Sequence, residues 1–271
     1  MVEPTTTTGK FPQCALSLFT KDCEQAMLNE SLSELSDRLR AMQREAVLAM
    51  RGDLSQEDNL LGKRTIIDLS QYLRTVEKIQ AAGANGKKVW SGEMRQYDGR
   101  LFKCGDFEIQ GSEEDFTKEI LITTEQTCMV RRSYFRACCE GKTLLVIGQA
   151  GTGKTETCID ISNKLGKPYE VFNSNGVTAV DAQMSKLIEE LGAKQGVLIM
   201  DEFSRMPTSA QVSLFNACNE AKVFLIGTNN PFDDDANEIH TDIMASAVKQ
   251  YLTAPDFEKI VEHMLYFDGL Q

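Results

Sequence analysis

One eight-residue segment constrains the fold more than any other part of this 271-residue chain. It runs from Gly148 to Thr155 and reads Gly-Gln-Ala-Gly-Thr-Gly-Lys-Thr, which satisfies the pattern G-x-x-x-x-G-K-[ST]. An apolar run precedes it and an amphipathic helical stretch follows, so it is expected to join a strand to a helix. In that context the pattern predicts a phosphate-binding loop (P-loop). The alternative is a glycine-rich turn that binds no ligand.

The residue types of this segment suit the binding of a nucleotide. Glycines allow a turn in which successive N–H groups point inward, and the start of the following helix adds partial positive charge. Lys154 is expected to reach the β- and γ-phosphates, and the Thr155 hydroxyl to ligate Mg²⁺. The predicted ligands are therefore ATP and Mg²⁺. The predicted nucleotide-binding residues are Gly148, Gln149, Ala150, Gly151, Thr152, Gly153, Lys154, Thr155 and Glu156.

The chain around this loop alternates between strand and helix patterns. From about residue 120 onward, short apolar runs alternate with helical periods, which predicts an α/β fold with a parallel sheet covered by helices. The predicted strands are 143–147, 169–172, 197–200 and 223–227, and the predicted helices include 155–165, 209–220 and a final helix over 257–265.

The first half of the chain is predicted to be helical. Apolar residues from Leu32 to Ala49 recur at spacings of three and four behind Ser31-x-x-Glu34, a capping-box pattern. A second amphipathic stretch covers 66–79, and the segment Gly-Ala-Asn-Gly at 83–86 is the predicted break after it.

Two adjacent acids follow the predicted strand 197–200. Asp201 lies where it would hold the Mg²⁺ shell, and Glu202 where it would polarise the attacking water. An apolar run followed by Asp-Glu is in itself a weak pattern, and a solvated strand end is the alternative. Its position downstream of the P-loop makes the catalytic interpretation the stronger one.

The next strand ends at Thr228-Asn229-Asn230-Pro231. The Asn230 amide is predicted to lie near the γ-phosphate and to position the attacking water. The alternative is a plain Asn-Pro turn. His240 and His263 lack metal-like partners in the sequence and are interpreted as ordinary surface or core residues.

The composition excludes several classes of partner. Lys+Arg 29 against Asp+Glu 40 gives a net charge of −11 without a basic cluster, which argues against nucleic-acid and anionic-membrane binding. The eight cysteines lack zinc-site spacing and are expected to be reduced and mostly buried. Residues 1–9 lack the features of a signal peptide, and no run of 18 apolar residues occurs, so a cytoplasmic protein is expected.

Four motifs, in order along the chain, resemble those of the first AAA+ module of dynein heavy chains. Residues 148–157 are similar to the signature GPAGTGKTET, and Val171-Phe-Asn173 is similar to VFNC. Asp201-Glu-Phe-Ser-Arg205 resembles the DEFNR of the family's Walker B motif, and Asn230-Pro231 resembles the NP of the sensor-1 loop.

The resemblance extends upstream of the P-loop. Ile122–Thr127 is similar to ITPLTD, Glu93–Tyr97 to QMRYY, and Met50–Ser55 to the VRGDLS of the linker that precedes the module. The similarity therefore covers roughly residues 15 to 270.

The resemblance implies a fold and a function. It implies a helical linker-like segment over 1–115 and an AAA+ large subdomain, without its helical lid, over 116–271. The implied function is that of an ATP-hydrolysing segment of a microtubule motor, in the cytoplasm and, within a dynein complex, at the cytoskeleton or the cilium and axoneme. The implied catalytic residues are Glu202, Lys154 and Asn230, and the implied Mg²⁺ ligands are Thr155 and Asp201.

The implied partners are ATP and other dynein subunits or AAA+ modules. Direct microtubule contact is not expected, because the chain has no long heptad segment resembling a stalk.

One segment departs from the family pattern. After Asn230-Pro231 the chain continues Phe-Asp-Asp-Asp-Ala-Asn, and Ala247-Val248-Lys249 stands where the family has Phe-Arg-Pro. Lys249 would be a poor substitute for the arginine that reaches a neighbouring module's nucleotide, because lysine lacks the planar fork of arginine. Hydrolysis by the isolated chain is expected to be slow for a separate reason, because the arginine that usually stabilises the transition state comes from an adjacent module. An alternative function is therefore a non-motor protein that uses ATP as a structural or regulatory ligand, with little or no hydrolysis.

Overall fold

The computed structural model describes residue 11, residues 15–115, residue 118 and residues 121–270. The polar N-terminus at 1–9 lies outside the described residues. The chain forms two compact units. The first comprises Met1–Asp106, Phe116–Thr124 and Asp256–Gln271, and the second comprises Phe107–Asp115 and Glu125–Pro255.

Helices account for most of the regular structure among the described residues. They are α1 (Leu16–Leu28), α2 (Leu32–Ala49), α3 (Gln56–Ala81), α4 (Gly86–Gly92), α5 (Glu125–Glu140), α6 (Lys154–Lys164), α7 (Ala182–Ala193), α8 (Thr208–Ala221), α9 (Thr241–Ser246) and α10 (Phe257–Phe267). The strands are β1 (Arg95–Tyr97), β2 (Leu101–Cys104), β3 (Phe107–Gln110), β4 (Leu144–Ile147), β5 (Tyr169–Asn173), β6 (Val197–Asp201), β7 (Phe224–Asn229) and β8 (Val248–Tyr251).

The first unit is built mainly from α1–α4 and α10, with β1 and β2 as an antiparallel pair. Its apolar core includes three aromatic rings, in which Phe19 stacks on Tyr72 at 4.1 Å between centroids and meets Trp90 edge-on at 5.9 Å. The sequence prediction of a helical N-terminal part is thus confirmed.

The predicted capping box at the start of α2 does not form. Ser31 occupies the N-cap position, but its side chain makes no capping hydrogen bond. Its backbone, at φ −110° and ψ 27°, is outside the extended region that directs an N-cap oxygen toward the helix N–H groups. Ser55, at the start of α3, is extended and accepts from the Asp58 N–H at 3.1 Å.

The second unit contains a five-stranded sheet in the order β5-β6-β7-β4-β8, with every neighbouring pair parallel. Helices cover the sheet: Ile188 and Leu214 of α7 and α8 share a core with the strands, and Tyr134 of α5 meets Phe224 edge-on. The predicted α/β class is confirmed, and the arrangement is consistent with an AAA+ P-loop domain.

Strand β8 is absent from the sequence prediction. It lies at the edge of the sheet beside β4, and only alternate residues of it are buried. The exposed Lys249 lies within this strand.

Strand register places the candidate residues at one edge of the sheet. Ile147 pairs with Asn229, and Asn173 pairs with Asp201. Because the strands are parallel, their carboxyl ends meet there, the usual ligand-binding edge of such sheets. The P-loop, the two acids and the Asn230 turn all leave the sheet at this edge.

The sequence predicts a domain boundary between residues 115 and 116. That boundary separates two family segments, whereas the compact units described above are defined by spatial contacts, so it stays a prediction. In the described residues, no helix is both long and apolar enough to cross a bilayer.

Candidate nucleotide-binding site

The segment from Gly148 to Gly153 forms a tight loop between β4 and α6. Gly151 and Gly153 adopt φ values of +74° and +75°, which favour glycine. A Cβ added at Gly148 would lie 2.8 Å from the backbone oxygen of Leu252, so a larger residue does not fit without movement of the backbone. The glycines at these three positions are therefore required by the conformation of the loop.

Lys154 lies at the first position of α6, with its ammonium group folded over the loop. Its Nζ donates to the carbonyl oxygens of Gly148 and Gln149, at 2.9 and 2.8 Å. Burial lowers the pKa of Lys154, while the nearby charges of Asp201 and Glu202 act in the opposite direction. The lysine therefore lies within electrostatic reach of both acids.

Two threonine side chains converge on one oxygen of Asp201. Thr155 Oγ1 donates to Asp201 Oδ1 at 2.5 Å, and Thr228 Oγ1 donates to the same oxygen at 2.7 Å. Thr228 is fully buried and also accepts from the Glu202 N–H at 3.1 Å. The sheet thus brings together the two predicted Mg²⁺ ligands, and Thr228 fixes the position of the carboxylate.

The donor set of this cluster fits Mg²⁺. The Thr155 hydroxyl and the Asp201 carboxylate offer adjacent hard oxygen ligands, and Mg²⁺ typically takes one or two such groups together with substrate phosphates. No group of three or more His, Cys, Asp or Glu side chains among the described residues forms a metal site. The cluster therefore suits a metal shared with a nucleotide and does not form a cage by itself.

Glu202 occupies an unusual backbone conformation at the end of β6. Its φ of 55° and ψ of 46° are left-handed, a region that non-glycine residues adopt at some energetic cost and often at functional sites. Its carboxylate lies 3.1 Å from a guanidinium nitrogen of Arg205, on the short 3₁₀ turn Phe203–Arg205. The same arginine donates to Asp233 at 2.7 Å.

Asn230 follows β7 directly, as predicted. Its Oδ1 accepts from the backbone N–H of Phe232 at 3.2 Å, which is a local turn contact of the kind that the alternative interpretation describes. The neighbouring Asn229 accepts from the Ser204 hydroxyl at 2.5 Å, which ties β7 to the loop after the acids. A water-positioning role for Asn230 stays a prediction.

The other predicted nucleotide-binding residues line the loop and the start of α6. Thr152 Oγ1 donates to the Gln149 carbonyl at 2.9 Å and closes the loop on itself. Gln149, Ala150 and Glu156 are exposed. Their roles in nucleotide binding stay predictions.

The histidines and cysteines lie apart from these contacts. His240 Nδ1 accepts from the Asp242 N–H at the start of α9, and Nδ1 of the buried His263 donates to the Lys259 carbonyl oxygen at 2.8 Å in the first unit. The seven described cysteines are free thiols, and five of them are buried.

The sequence assigned no functional role to three residues that contact Asp201 or Glu202 directly or through one neighbour: Thr228, Arg205 and Asp233. In the sequence, Arg205 contributes only to the resemblance to DEFNR, and Asp233 belongs only to the segment that departs from the family pattern. Thr228 lies two residues before the predicted sensor residue Asn230, at the end of an apolar strand, and this position is a signal that could identify its hydroxyl.

Comparison with known proteins identifies one region of the chain. No curated protein matches the chain. The family model described as the hydrolytic ATP-binding site of the dynein motor region matches residues 111–213, which is less than half of the chain. The match includes the P-loop and the Asp201–Arg205 loop, and Asn230 and Asp233 lie beyond it. Residues 111–213 are thus similar to the hydrolytic ATP-binding site of the dynein motor region.

Proposed function

We propose that this chain is the ATP-binding and ATP-hydrolysing segment of a dynein-heavy-chain-like microtubule motor. The observation that carries the proposal is the convergence of Thr155 and Thr228 on Asp201 beside the P-loop. A hydroxyl and a carboxylate at this spacing would together hold a Mg²⁺ ion bound with the nucleotide. The family match over residues 111–213 supports the same function.

Each residue has a role in this proposal. The loop Gly148–Thr155 and Glu156 bind ATP, with Lys154 on the β- and γ-phosphates. Thr155 and Asp201 hold Mg²⁺. Glu202 orients and polarises the attacking water, and Asn230 helps to place that water near the γ-phosphate. Bound Mg²⁺ supplies neutralisation of the charge that develops on the phosphate oxygens.

The proposed assembly is a larger dynein complex. The partners are other dynein subunits or AAA+ modules, and neither microtubules, nucleic acid nor membranes contact this chain directly. Its location is the cytoplasm, with the cytoskeleton or the cilium and axoneme as sites of the assembled complex. The net charge of −11 supports the exclusion of nucleic acid and anionic membranes.

Hydrolysis by the isolated chain is proposed to be slow. In this class of enzyme an arginine from a neighbouring module commonly stabilises the transition state, which is worth orders of magnitude in rate. In the family, the module also has an arginine that reaches the nucleotide of its neighbour. At about that position this chain has Lys249, which lies within β8.

A second candidate function is that of a non-motor nucleotide-binding protein with little or no hydrolysis. The ion pair between Glu202 and Arg205 favours it, because it engages one oxygen of the proposed catalytic carboxylate. The presence of Glu202 beside Asp201 favours the first function, because a chain that binds ATP only as a structural ligand does not need a catalytic acid.

Steady-state phosphate release distinguishes the two functions. For an ATPase, Glu202→Gln should lower the rate by about 10²- to 10⁴-fold, the usual contribution of a general base, while binding of a fluorescent ATP analogue persists. Glu189→Gln, an exposed change on α7, is the matched control and should leave turnover unaltered. If the chain binds the analogue but shows no phosphate release that depends on Glu202, the regulatory function is supported instead.

A further inference from the structure

The segment that departs from the family pattern folds against the loop that carries Glu202. Asn237 N donates to the Ser204 carbonyl at 2.7 Å, and its Nδ2 approaches the Arg205 carbonyl at 3.3 Å. The Asp233 carboxylate accepts from Arg205 Nε at 2.7 Å. Contacts from both backbone and side chains therefore link this segment to the proposed catalytic loop.

Arg205 lies between two carboxylates. One guanidinium nitrogen is 3.1 Å from Glu202 Oε2, and another is 2.7 Å from Asp233 Oδ2. The Asp233 side chain is only 10% exposed, while those of Arg205 and Glu202 are 27% and 35% exposed. The hydrogen bond to Asp233 raises the pKa of Arg205, and the same bond lowers the pKa of Asp233. The bond to Asp233 is thus the firmer anchor of the arginine.

The Glu202 carboxylate depends on this arginine for a fixed direction. The backbone of Glu202 is held by the Thr228 hydroxyl and by its left-handed conformation. Within residues 121–270, Arg205 makes the one ion pair or hydrogen bond that reaches the Glu202 carboxylate. Without it, rotation about the side-chain bonds would be free to carry the carboxylate away from any single position.

We propose that Arg205 is a positioning residue for Glu202, and that Asp233 anchors Arg205 in the required orientation. The inference rests on the proposed ATPase function, because it concerns how the acid of that site is oriented. A guanidinium has a planar fork of donors, so it is able to hold two carboxylates at fixed angles at once. Asp233 therefore acts on turnover through Arg205 and touches no reacting atom.

Substitution of Arg205 tests the first step. Arg205→Ala should lower kcat for ATP by about 10- to 100-fold, since misplacement of a reacting group by about 1 Å carries a cost of this size. The KM for ATP should change by no more than about twofold, because Arg205 does not bind the nucleotide in the ground state. Arg205→Lys should fail to restore kcat, because a single ammonium does not reproduce the fork.

Asp233 tests the anchoring. Asp233→Asn should lower kcat by about threefold or more in the native background and have no further effect in Arg205→Ala, because both changes interrupt one chain of contacts. Asp234→Asn removes the same charge from an exposed neighbour and is the matched control, expected to match the unsubstituted chain. A merely electrostatic effect of the acidic segment would lower the rate equally for both asparagine variants and would overturn the proposal.

The outcomes separate this inference from the function on which it rests. If the unsubstituted chain binds ATP without turnover, the proposed hydrolytic function is wrong and the inference is lost with it. If the chain turns over ATP and Arg205→Ala retains the full kcat, the positioning role alone is wrong. Additive effects of Arg205→Ala and Asp233→Asn would likewise contradict the anchoring step. Equal melting temperatures of the variants would show that a fall in kcat does not arise from unfolding.

Discussion

At the scale of single residues, the candidate site depends on hydroxyl groups that hold the acids. Thr228 is fully buried, donates to Asp201 Oδ1 and accepts from the Glu202 N–H. It therefore links the proposed metal ligand to the proposed catalytic acid through one oxygen atom. A change that keeps its shape and removes this atom isolates that contribution.

Thr228→Val should destabilise the chain by about 1–3 kcal/mol, because it leaves the Glu202 N–H without its acceptor and removes a donor from Asp201. It should also weaken Mg²⁺-dependent nucleotide binding, since the Asp201 carboxylate loses one of its two fixed contacts. Denaturant unfolding and nucleotide titration measure the two effects. Thr178→Val, at an exposed position, is the control, and an equal loss of stability in both variants would contradict this account.

The sequence predicted the identity of the site residues better than their contacts. Thr155 and Asp201, which are far apart in the chain, were assigned to one metal because a P-loop motif and an acid after a strand have characteristic chemistry. The contact of Arg205 with Asp233 follows from the path of the chain after β7, and no residue pattern there specifies that path. Side-chain partners of this kind require the folded structure.

At the scale of secondary structure elements, the elements with continuous apolar runs were the predictable ones. The apolar strands β4, β6 and β7 are confirmed where the sequence placed them, with small shifts at their ends. Strand β8 was missed because it is four residues long and only alternate positions are buried. An edge strand with one solvated face carries a weak hydrophobic pattern.

The two serines before α2 and α3 show why a capping pattern is not sufficient. Both precede a helix, but only Ser55 has the extended backbone and accepts a hydrogen bond from the helix. The pattern Ser-x-x-Glu at Ser31 describes residue types and does not specify the backbone angles on which the bond depends.

Ser55→Ala should therefore destabilise the chain by about 1 kcal/mol, the typical cost of a lost N-cap. Ser31→Ala, the matched control, should change stability by less than about 0.5 kcal/mol because it breaks no capping bond. Urea unfolding of the two variants gives the comparison directly. A larger loss for Ser31→Ala would contradict the described helix starts.

At the scale of the whole molecule, order along the chain and spatial grouping differ. Helix α10 comes last in the sequence but groups with α3 in the first compact unit, where Arg51 donates to the Gly269 carbonyl at 2.7 Å. Its apolar positions predicted a helix, and they did not specify the partner of that helix. Hydrophobic periodicity reports which face is apolar and carries no information about its destination.

The function proposed for the whole molecule depends on one local property, the binding of ATP with Mg²⁺ at the P-loop. Lys154 and Thr155 belong to α6 and Asp201 belongs to β6, and only the fold brings them to one edge of the sheet. The motor assignment, the partners and the cellular location are all secondary to this property.

Titration of the purified chain with a fluorescent ATP analogue, with Mg²⁺ and with a chelator, tests that property most directly. Binding should require Mg²⁺, and Lys154→Ala should weaken it by at least about tenfold, because a hydrogen bond to a charged group contributes about 1.5–3 kcal/mol. Lys186→Ala, an exposed change on α7, is the control and should bind like the unsubstituted chain. Absence of binding, or binding that neither chelation nor Lys154→Ala affects, would contradict the account.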